Sequence, residues 1–261
     1  MFHPITSATI DKCMKTNEKI IEVKNLMKVY GSFTANNNLS FDVFKGEIFG
    51  FLGANGAGKT TAMRILCGLS LPTSGSVKVG GFDVSTESEK VKKNIGYMSQ
   101  KFSLYDDLTL WENMRLYSTI YGVSKADFEL RANIILERLN LQESRNKLIA
   151  SLSLGLKQKL AFSVAIIHKP AIVFLDEPTG GVDPITRRQF WEMIYEEAAA
   201  GLTVFVTTHY MDEAEYCDRI TIMVDGRIDA LDTPKNLKTQ FGCANIEDVF
   251  LKLARTAKAV E

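Results

Sequence analysis

The chain has 261 residues, of which 46% are hydrophobic and 24% are charged, values typical of a soluble globular protein that can bury a core. Its 31 basic and 31 acidic residues balance, which argues against nucleic acid as a partner because no net positive charge attracts it. The longest apolar runs fall far short of the ~18 residues that a spanning helix needs, so we expect no transmembrane segment.

The amino-terminal residues predict neither a signal peptide nor a folded element. They lack the charged start and continuous apolar stretch of a secretory signal, so we expect a disordered lead over residues 1–18. A better-formed segment begins at Met14, which leaves open whether residues 1–13 are native or vector-derived. The four cysteines lie far apart without a C-x-x-C pair, which favours reduced thiols in a cytosolic protein.

The part of the chain before residue 100 is rich in predicted strands. The first two alternate apolar and polar side chains, as half-buried strands do, and together predict a small antiparallel piece. The others are short apolar runs, one of which ends in a tight Gly80-Gly81 turn. These predicted strands cover residues 20–24, 39–44, 47–52, 76–79 and 95–98.

The middle of the chain, residues 101–168, is predicted to be an inserted helical subdomain. Thr109 and Glu112 form the capping box that opens a helix, and Gly122 is placed to end it. A second helix begins near Ser124 and carries one apolar face. The residues of that face are Phe128, Ala132, Ile135, Leu136 and Leu139.

Strands and helices alternate again in the last third of the chain. Asp183 and Pro184 have the types expected at the cap and first turn of a helix between two strands. The predicted strands here cover residues 171–175, 202–207, 219–224 and 227–231, the last two as a hairpin. The pattern predicts an α/β fold whose mainly parallel core is built from residues 19–100 and 169–240, followed by a helical tail over 241–261.

The most specific motif is a glycine-rich loop of the pattern G-x-x-x-x-G-K-[ST] between a predicted strand and a helix-favouring run. Its glycines let backbone N–H groups turn inward around phosphates, and the helix that follows adds its positive end. Lys59 can reach the β- and γ-phosphates, and the Thr60 hydroxyl can bind Mg²⁺. The predicted nucleotide-binding residues are Gly53, Ala54, Asn55, Gly56, Ala57, Gly58, Lys59, Thr60 and Thr61.

A second phosphate-site motif is an apolar strand that ends in two carboxylates. Asp176 at the tip of the strand can hold Mg²⁺, usually through water. Glu177 follows it, where a carboxylate can accept a proton from an attacking water. An acidic pair at a strand end is common by itself, and the glycine-rich loop upstream is what makes this pair a catalytic candidate.

These motifs, with further segments in matching order, resemble the nucleotide-binding domain of ABC transporters over about residues 20–255. The resemblance implies a P-loop NTPase fold of the RecA-like type, with ATP and Mg²⁺ as ligands. It implies that Tyr30 stacks on adenine, that Gln100 senses Mg²⁺ and joins the core to the helical insert, and that His209 contacts the γ-phosphate. Taken singly, each of these three residues has a plain structural explanation. In this reading Lys59, Gln100 and His209 assist Glu177 in catalysis.

Residues 152–158 resemble the signature motif of the family but depart from its L-S-G-G-Q consensus. Leu154 replaces the first glycine and Leu156 replaces the glutamine, which leaves the effect on turnover open. Ser153 and Gly155 remain and can offer a hydroxyl and a backbone N–H to a γ-phosphate at a helix start. The family arrangement implies that they meet the nucleotide of a second subunit, so that one chain carries halves of two sites.

The resemblance also implies partners and a location. ATP would close a dimer with a second copy or a related cassette, and Asp183, in a segment that resembles the D-loop, could cap its helix and also face the partner. A separate membrane permease would hold the protein at the cytoplasmic, inner face of the cell membrane. Residues 208–215 and 246–251 resemble exporters of drugs, lipids or polysaccharides, which favours export.

Three other classes of protein share some of these motifs. Cassette ATPases that work on nucleic acid or ribosomes typically fuse two cassettes or insert coiled coils, and neither feature is seen. A small-molecule kinase or GTPase explains neither the signature nor His209, and the guanine-specifying N-K-x-D is absent. A regulatory subunit that binds ATP without efficient turnover stays open because of the altered signature, although both Glu177 and His209 are present.

Overall fold

The computed structural model describes residues 17–100 and 104–258, so the lead predicted over residues 1–18 lies outside the described residues except for its last two positions. The strands in the described part of the chain form two sheets. They are β1 Lys19–Tyr30, β2 Phe33–Phe44, β3 Ile48–Gly53, β4 Ser74–Val79, β5 Phe82–Asp83, β6 Ile95–Met98, β7 Ile172–Asp176, β8 Thr203–Thr208, β9 Arg219–Val224 and β10 Arg227–Asp232.

The larger sheet has six strands in the order β10-β9-β3-β8-β7-β6. All neighbours in it are parallel except β9 and β10, which form the predicted hairpin. Every residue of β3, β7 and β8 is buried, as expected for central strands that are covered on both faces. The carboxyl ends of β3, β7 and β8 therefore meet at one edge of the sheet.

The smaller sheet is antiparallel, with the order β2-β1-β4-β5, and confirms the predicted antiparallel piece. Aromatic rings join it to the larger sheet. The Phe41 ring on β2 lies 5.7 Å from the Phe49 ring and 5.5 Å from the Phe51 ring, both on β3. Offset aromatic contacts of this kind add stability beyond the apolar area that they bury. Together the two sheets confirm the α/β fold with a mainly parallel core.

The helices surround the larger sheet and fill the middle of the chain. They are α1 Lys59–Leu66, α2 Ser88–Asn94, α3 Leu110–Ile120, α4 Lys125–Arg138, α5 Leu154–Ala165, α6 Pro184–Ala199, α7 Pro234–Phe241 and α8 Ile246–Lys258. Three predicted starts are confirmed by side-chain hydrogen bonds: Thr109 and Glu112 form a reciprocal capping box on α3, Ser124 caps α4, and Asp183 caps α6. The helices α3, α4 and α5 lie within the range predicted as the insert.

Several elements differ from the sequence prediction. β1 and β2 are twelve residues each, longer than predicted. The register of their pairing shifts, and these irregularities interrupt the apolar alternation from which the strands were predicted. Asn25 and Asn38 adopt positive φ angles of 50° and 58° in these strands. α2 was not predicted, since Val91 is its one buried residue and leaves no periodic signal. α7 was also missed, and it crosses the boundary drawn between core and tail.

The carboxy-terminal helix α8 packs on the core rather than standing apart from it. Ile246 and Val249 are buried, in agreement with the apolar face of this segment. No helix in residues 17–100 and 104–258 combines the length and the apolar character that crossing a bilayer requires. In the same part of the chain Cys67, Cys217 and Cys243 are free thiols.

Candidate active site

The glycine-rich loop connects β3 to α1, and its last glycine caps the helix. Gly58 has a φ of 95°, a left-handed conformation that glycine adopts without a steric penalty. A Cβ at Gly58 would lie 2.2 Å from the Ala35 carbonyl oxygen on β2, so the close approach of the two segments also requires glycine. The Asn36 side-chain amide donates to the Gly58 carbonyl at 3.1 Å. β2 therefore holds the loop from outside.

Two glycine substitutions separate the conformational requirement from the close approach. Gly56 has a φ of 85° but nothing within 4 Å of a built Cβ, so we expect Gly56→Ala to lower the free energy of unfolding by about 1–2 kcal/mol. Gly58→Ala must also displace the Ala35 carbonyl, and overpacking of this kind adds about 1–3 kcal/mol. Urea unfolding of both variants measures the difference; equal losses would contradict the assigned role of the β2 contact.

Lys59 begins α1 with its ammonium group inside the loop. The side chain is only 4% exposed, and Nζ donates to the carbonyl oxygens of Gly53 at 2.9 Å and Ala54 at 3.0 Å. It also lies 3.6 Å from Oε1 of Glu177. Burial lowers the pKa of Lys59, and the nearby carboxylates of Glu177 and Asp176 oppose that shift. A buried ammonium in this position can interact strongly with an anionic phosphate.

Asp176, the last residue of β7, is nearly fully buried and faces Thr60. The Thr60 hydroxyl lies 3.4 Å from Asp176 Oδ1, and the Thr207 hydroxyl on β8 donates to the same oxygen at 2.6 Å. Burial raises the pKa of Asp176, while the hydrogen bond from Thr207 opposes the shift. A carboxylate and a hydroxyl in contact fit the oxygen donors that Mg²⁺ prefers, with phosphate and water completing its shell.

Glu177 is the point at which three other predicted residues converge. Its Oε2 accepts a hydrogen bond from Gln100 Nε2 at 2.9 Å and lies 3.1 Å from His209 Nδ1, while Oε1 faces Lys59. Gln100 and His209 follow β6 and β8, which flank β7, so parallel strands bring all three side chains to the same edge.

The backbone of Glu177 is held in an uncommon conformation. Its φ is 48°, a left-handed value that typically costs a non-glycine residue about 1–3 kcal/mol and persists only where surrounding contacts hold it. The Glu177 N–H donates to the carbonyl oxygen of Thr207 at 3.1 Å and lies 3.2 Å from the Thr207 hydroxyl. Thr207 thus holds the Asp176 carboxylate and the backbone of Glu177, a role that the sequence did not predict. The signal is its register opposite Asp176 in the parallel sheet.

Tyr30 ends β1 at the tip of the first hairpin. Its side chain is 52% exposed, directly across from Phe33, which is 61% exposed. The ammonium of Lys28 lies 4.9 Å from the centre of the Tyr30 ring. The ring is therefore accessible to a planar base, and its stacking on adenine stays a prediction.

The signature residues lie at the start of α5 and contact neighbouring helices. Ser153 caps α5 by accepting from the Leu156 N–H at 3.5 Å. A Cβ at Gly155 would lie 2.4 Å from Thr186 on α6, so glycine allows the two helices to approach. Among the described residues, the hydrogen bonds of Ser153 are within α5, and it makes none to the glycine-rich loop that holds Lys59.

Comparison with known proteins gives consistent matches. A family model described as ABC transporter matches residues 36–180. The probable multidrug ABC transporter ATP-binding protein YbhF of Escherichia coli (strain K12) is 47% identical over 223 residues, which cover 85% of this chain and 39% of that protein. The linearmycin resistance ATP-binding protein LnrL of Bacillus subtilis (strain 168) is 37% identical over 224 residues, covering 85% of this chain and 72% of that protein.

A solved structure has the same fold. It is an ATP-binding cassette in a dimeric post-hydrolysis state bound to ADP and Pi, 27% identical, with a TM-score of 0.74 over 82% of this chain and 98% of that chain. This likeness confirms the predicted P-loop NTPase fold. The chain spans 39% of the length of the Escherichia coli relative that it matches.

Proposed function

The chain belongs to the ABC transporter family, and on that basis we propose that it is an ATP-hydrolysing subunit that drives a membrane permease. The observation that carries the proposal is the convergence of Lys59, Gln100 and His209 on the Glu177 carboxylate beside Asp176. A general base, a buried cation and two polar residues are the groups that phosphoryl transfer to water requires.

The reaction is in-line attack of water on the γ-phosphorus of ATP. Glu177 accepts a proton from the water, the new oxygen–phosphorus bond forms, and the bond to the β,γ-bridging oxygen breaks to leave ADP and phosphate. Lys59 and His209 stabilise the negative charge on the γ-phosphate oxygens. Thr60, Gln100 and Asp176 would hold Mg²⁺, which when bound supplies further positive charge to the β- and γ-phosphates.

A second copy, or a related cassette, completes each site. Ser153 and Gly155 stand at the start of α5, where a helix end and a hydroxyl suit an anionic phosphate. In the family arrangement of the signature motif, which residues 152–158 resemble, the target of Ser153 is the nucleotide of the partner. The dimeric state of the ATP-binding cassette with the same fold supports this arrangement.

The dimer drives transport through the permease, and the direction of transport is export. The names of two relatives, a multidrug transporter component and a linearmycin resistance protein, support this direction. A permease partner places the protein at the cytoplasmic face of the cell membrane, bound through the permease. The permease selects the cargo, and no nucleic acid takes part.

The proposal is tested by phosphate release from the purified chain. We expect ATP hydrolysis in the presence of Mg²⁺ and its loss when EDTA removes the metal, because charge on the phosphates is then left unneutralised. A fluorescent ATP analogue measures binding in parallel. Binding without phosphate release in Mg²⁺ would instead support the alternative of a regulatory subunit that binds ATP without efficient turnover. Absence of ATP binding would reject both hypotheses.

A further inference from the structure

A buried polar cluster lies beside the candidate active site and has no part in the chemistry above. Glu213, in the 3-10 segment Met211–Tyr216, has no exposed surface. The Thr179 hydroxyl, only 1% exposed, donates to one oxygen of this carboxylate, and Arg187 Nε lies 3.7 Å from the same oxygen. The other carboxylate oxygen makes no hydrogen bond within the described residues.

Stability alone is a poor explanation for this cluster. A carboxylate that is buried with incomplete partners is costly, and apolar side chains of similar size commonly stabilise a core as well or better. Buried polar contacts do, however, require one particular arrangement of the segments that they join, because alternatives leave a donor or acceptor unpaired. The burial of Glu213 is therefore better explained by the segments that its hydrogen bond holds together.

Glu213 joins the two loops that carry Glu177 and His209. Thr179 follows Glu177 by two residues, and the Gly180 N–H donates to the Glu177 carbonyl at 3.2 Å, which makes this loop a tight turn. Glu213 follows His209 by four residues. The Thr179–Glu213 hydrogen bond therefore joins the two loops a few residues after the point where His209 Nδ1 lies 3.1 Å from Glu177 Oε2.

Arg187 on α6 contacts the loop that carries His209. Its guanidinium lies 4.2 Å from the centre of the Tyr210 ring, and Nη1 lies 3.3 Å from Asp212 Oδ2. The Tyr210 ring in turn lies 4.2 Å from the His209 ring. The cluster thus contacts the histidine loop both before and after its turn into the 3-10 segment.

We propose that Glu213, held by Thr179 and Arg187, is a positioning residue that sets His209 against Glu177 for hydrolysis. The proposal rests on the ATPase function proposed above. It concerns the geometry of the reacting groups, so it predicts a loss in kcat rather than in ATP binding.

Removal of the Thr179 hydroxyl tests this role with little change in shape. We expect Thr179→Val to lower kcat at least about tenfold while KM and the affinity for a fluorescent ATP analogue stay within about twofold. Thr179→Ser keeps the hydroxyl and should recover most of the wild-type kcat. Thr179 is preferred to Glu213 as the altered residue because loss of the carboxylate could prevent folding, and thermal melting checks that both variants fold.

A double-mutant cycle with His209→Ala separates positioning from a general structural effect. If Thr179 acts through His209, Thr179→Val should lower the residual rate of His209→Ala by less than about twofold, because the effects of groups that act through one another are not additive. Single-turnover release of labelled phosphate measures these low rates. Additive losses, or a normal kcat in Thr179→Val, overturn the positioning role while the ATPase function stands; a wild-type chain without hydrolysis overturns both.

Discussion

Glu177→Gln is expected to lower the rate of phosphate release by about 10²–10⁴-fold, the usual contribution of a general base. That loss corresponds to about 3–5 kcal/mol of transition-state stabilisation. The amide keeps the size of the side chain but cannot accept the proton of the attacking water. ATP binding should persist, since Lys59 and the backbone of the glycine-rich loop are unchanged. The variant should therefore accumulate as a dimer with bound ATP.

Glu89→Gln provides the matched control for this substitution. Glu89 lies on α2, is 77% exposed and pairs with Lys92, so the same chemical change is made at a residue outside the convergent site. Its rate should equal that of the wild type. Near-normal turnover in Glu177→Gln would show that Glu177 is not the general base. The side chains that converge on it would then have no assigned catalytic role.

Ser153→Arg, placed in the Glu177→Gln chain, is expected to abolish the ATP-dependent dimer. Each Ser153 and Gly155 gains a charge-assisted contact with the opposite γ-phosphate, on the order of 1.5–3 kcal/mol apiece. Four such contacts in a dimer can shift a weak association by several powers of ten, less the cost of ordering the two chains. A bulky arginine at the start of α5 removes the hydroxyl and blocks closure. Sedimentation in ATP and Mg²⁺ measures the fraction of dimer.

The control must account for the loss of a helix cap, because Ser153 also caps α5. Ser124→Arg removes the corresponding cap from α4, whose Ser124 hydroxyl accepts from the Asp127 N–H at 3.1 Å. Loss of a serine cap typically costs about 0.5–2 kcal/mol in either helix. Dimerisation should survive Ser124→Arg, and single-chain ATP binding should survive both variants. A dimer that forms equally well with Ser153→Arg would show that the signature is not at the interface.

The features that the sequence alone determined are those encoded over a few neighbouring residues. The capping box of Thr109 and Glu112 and the cap at Asp183 were predictable because a cap side chain bonds to backbone two or three residues away. The glycine-rich loop was predictable for the same reason, since its conformation depends on glycines at fixed local spacing. The buried strand that ends in Asp176 was also predictable, because it is a short apolar run.

Only the tertiary structure decided which of these residues meet. Thr207 bonds to Asp176 across 31 positions of sequence, and the Thr179 hydroxyl reaches Glu213 across 34. The packing of β7 beside β8 and the close approach of α5 to α6 at Gly155 likewise depend on sheet order and helix contacts. Each such pairing follows from the folding of the whole chain, because residues far apart in sequence carry no local signal of their neighbours. The candidate catalytic residues could therefore be named from the sequence, whereas the residues that position them could not.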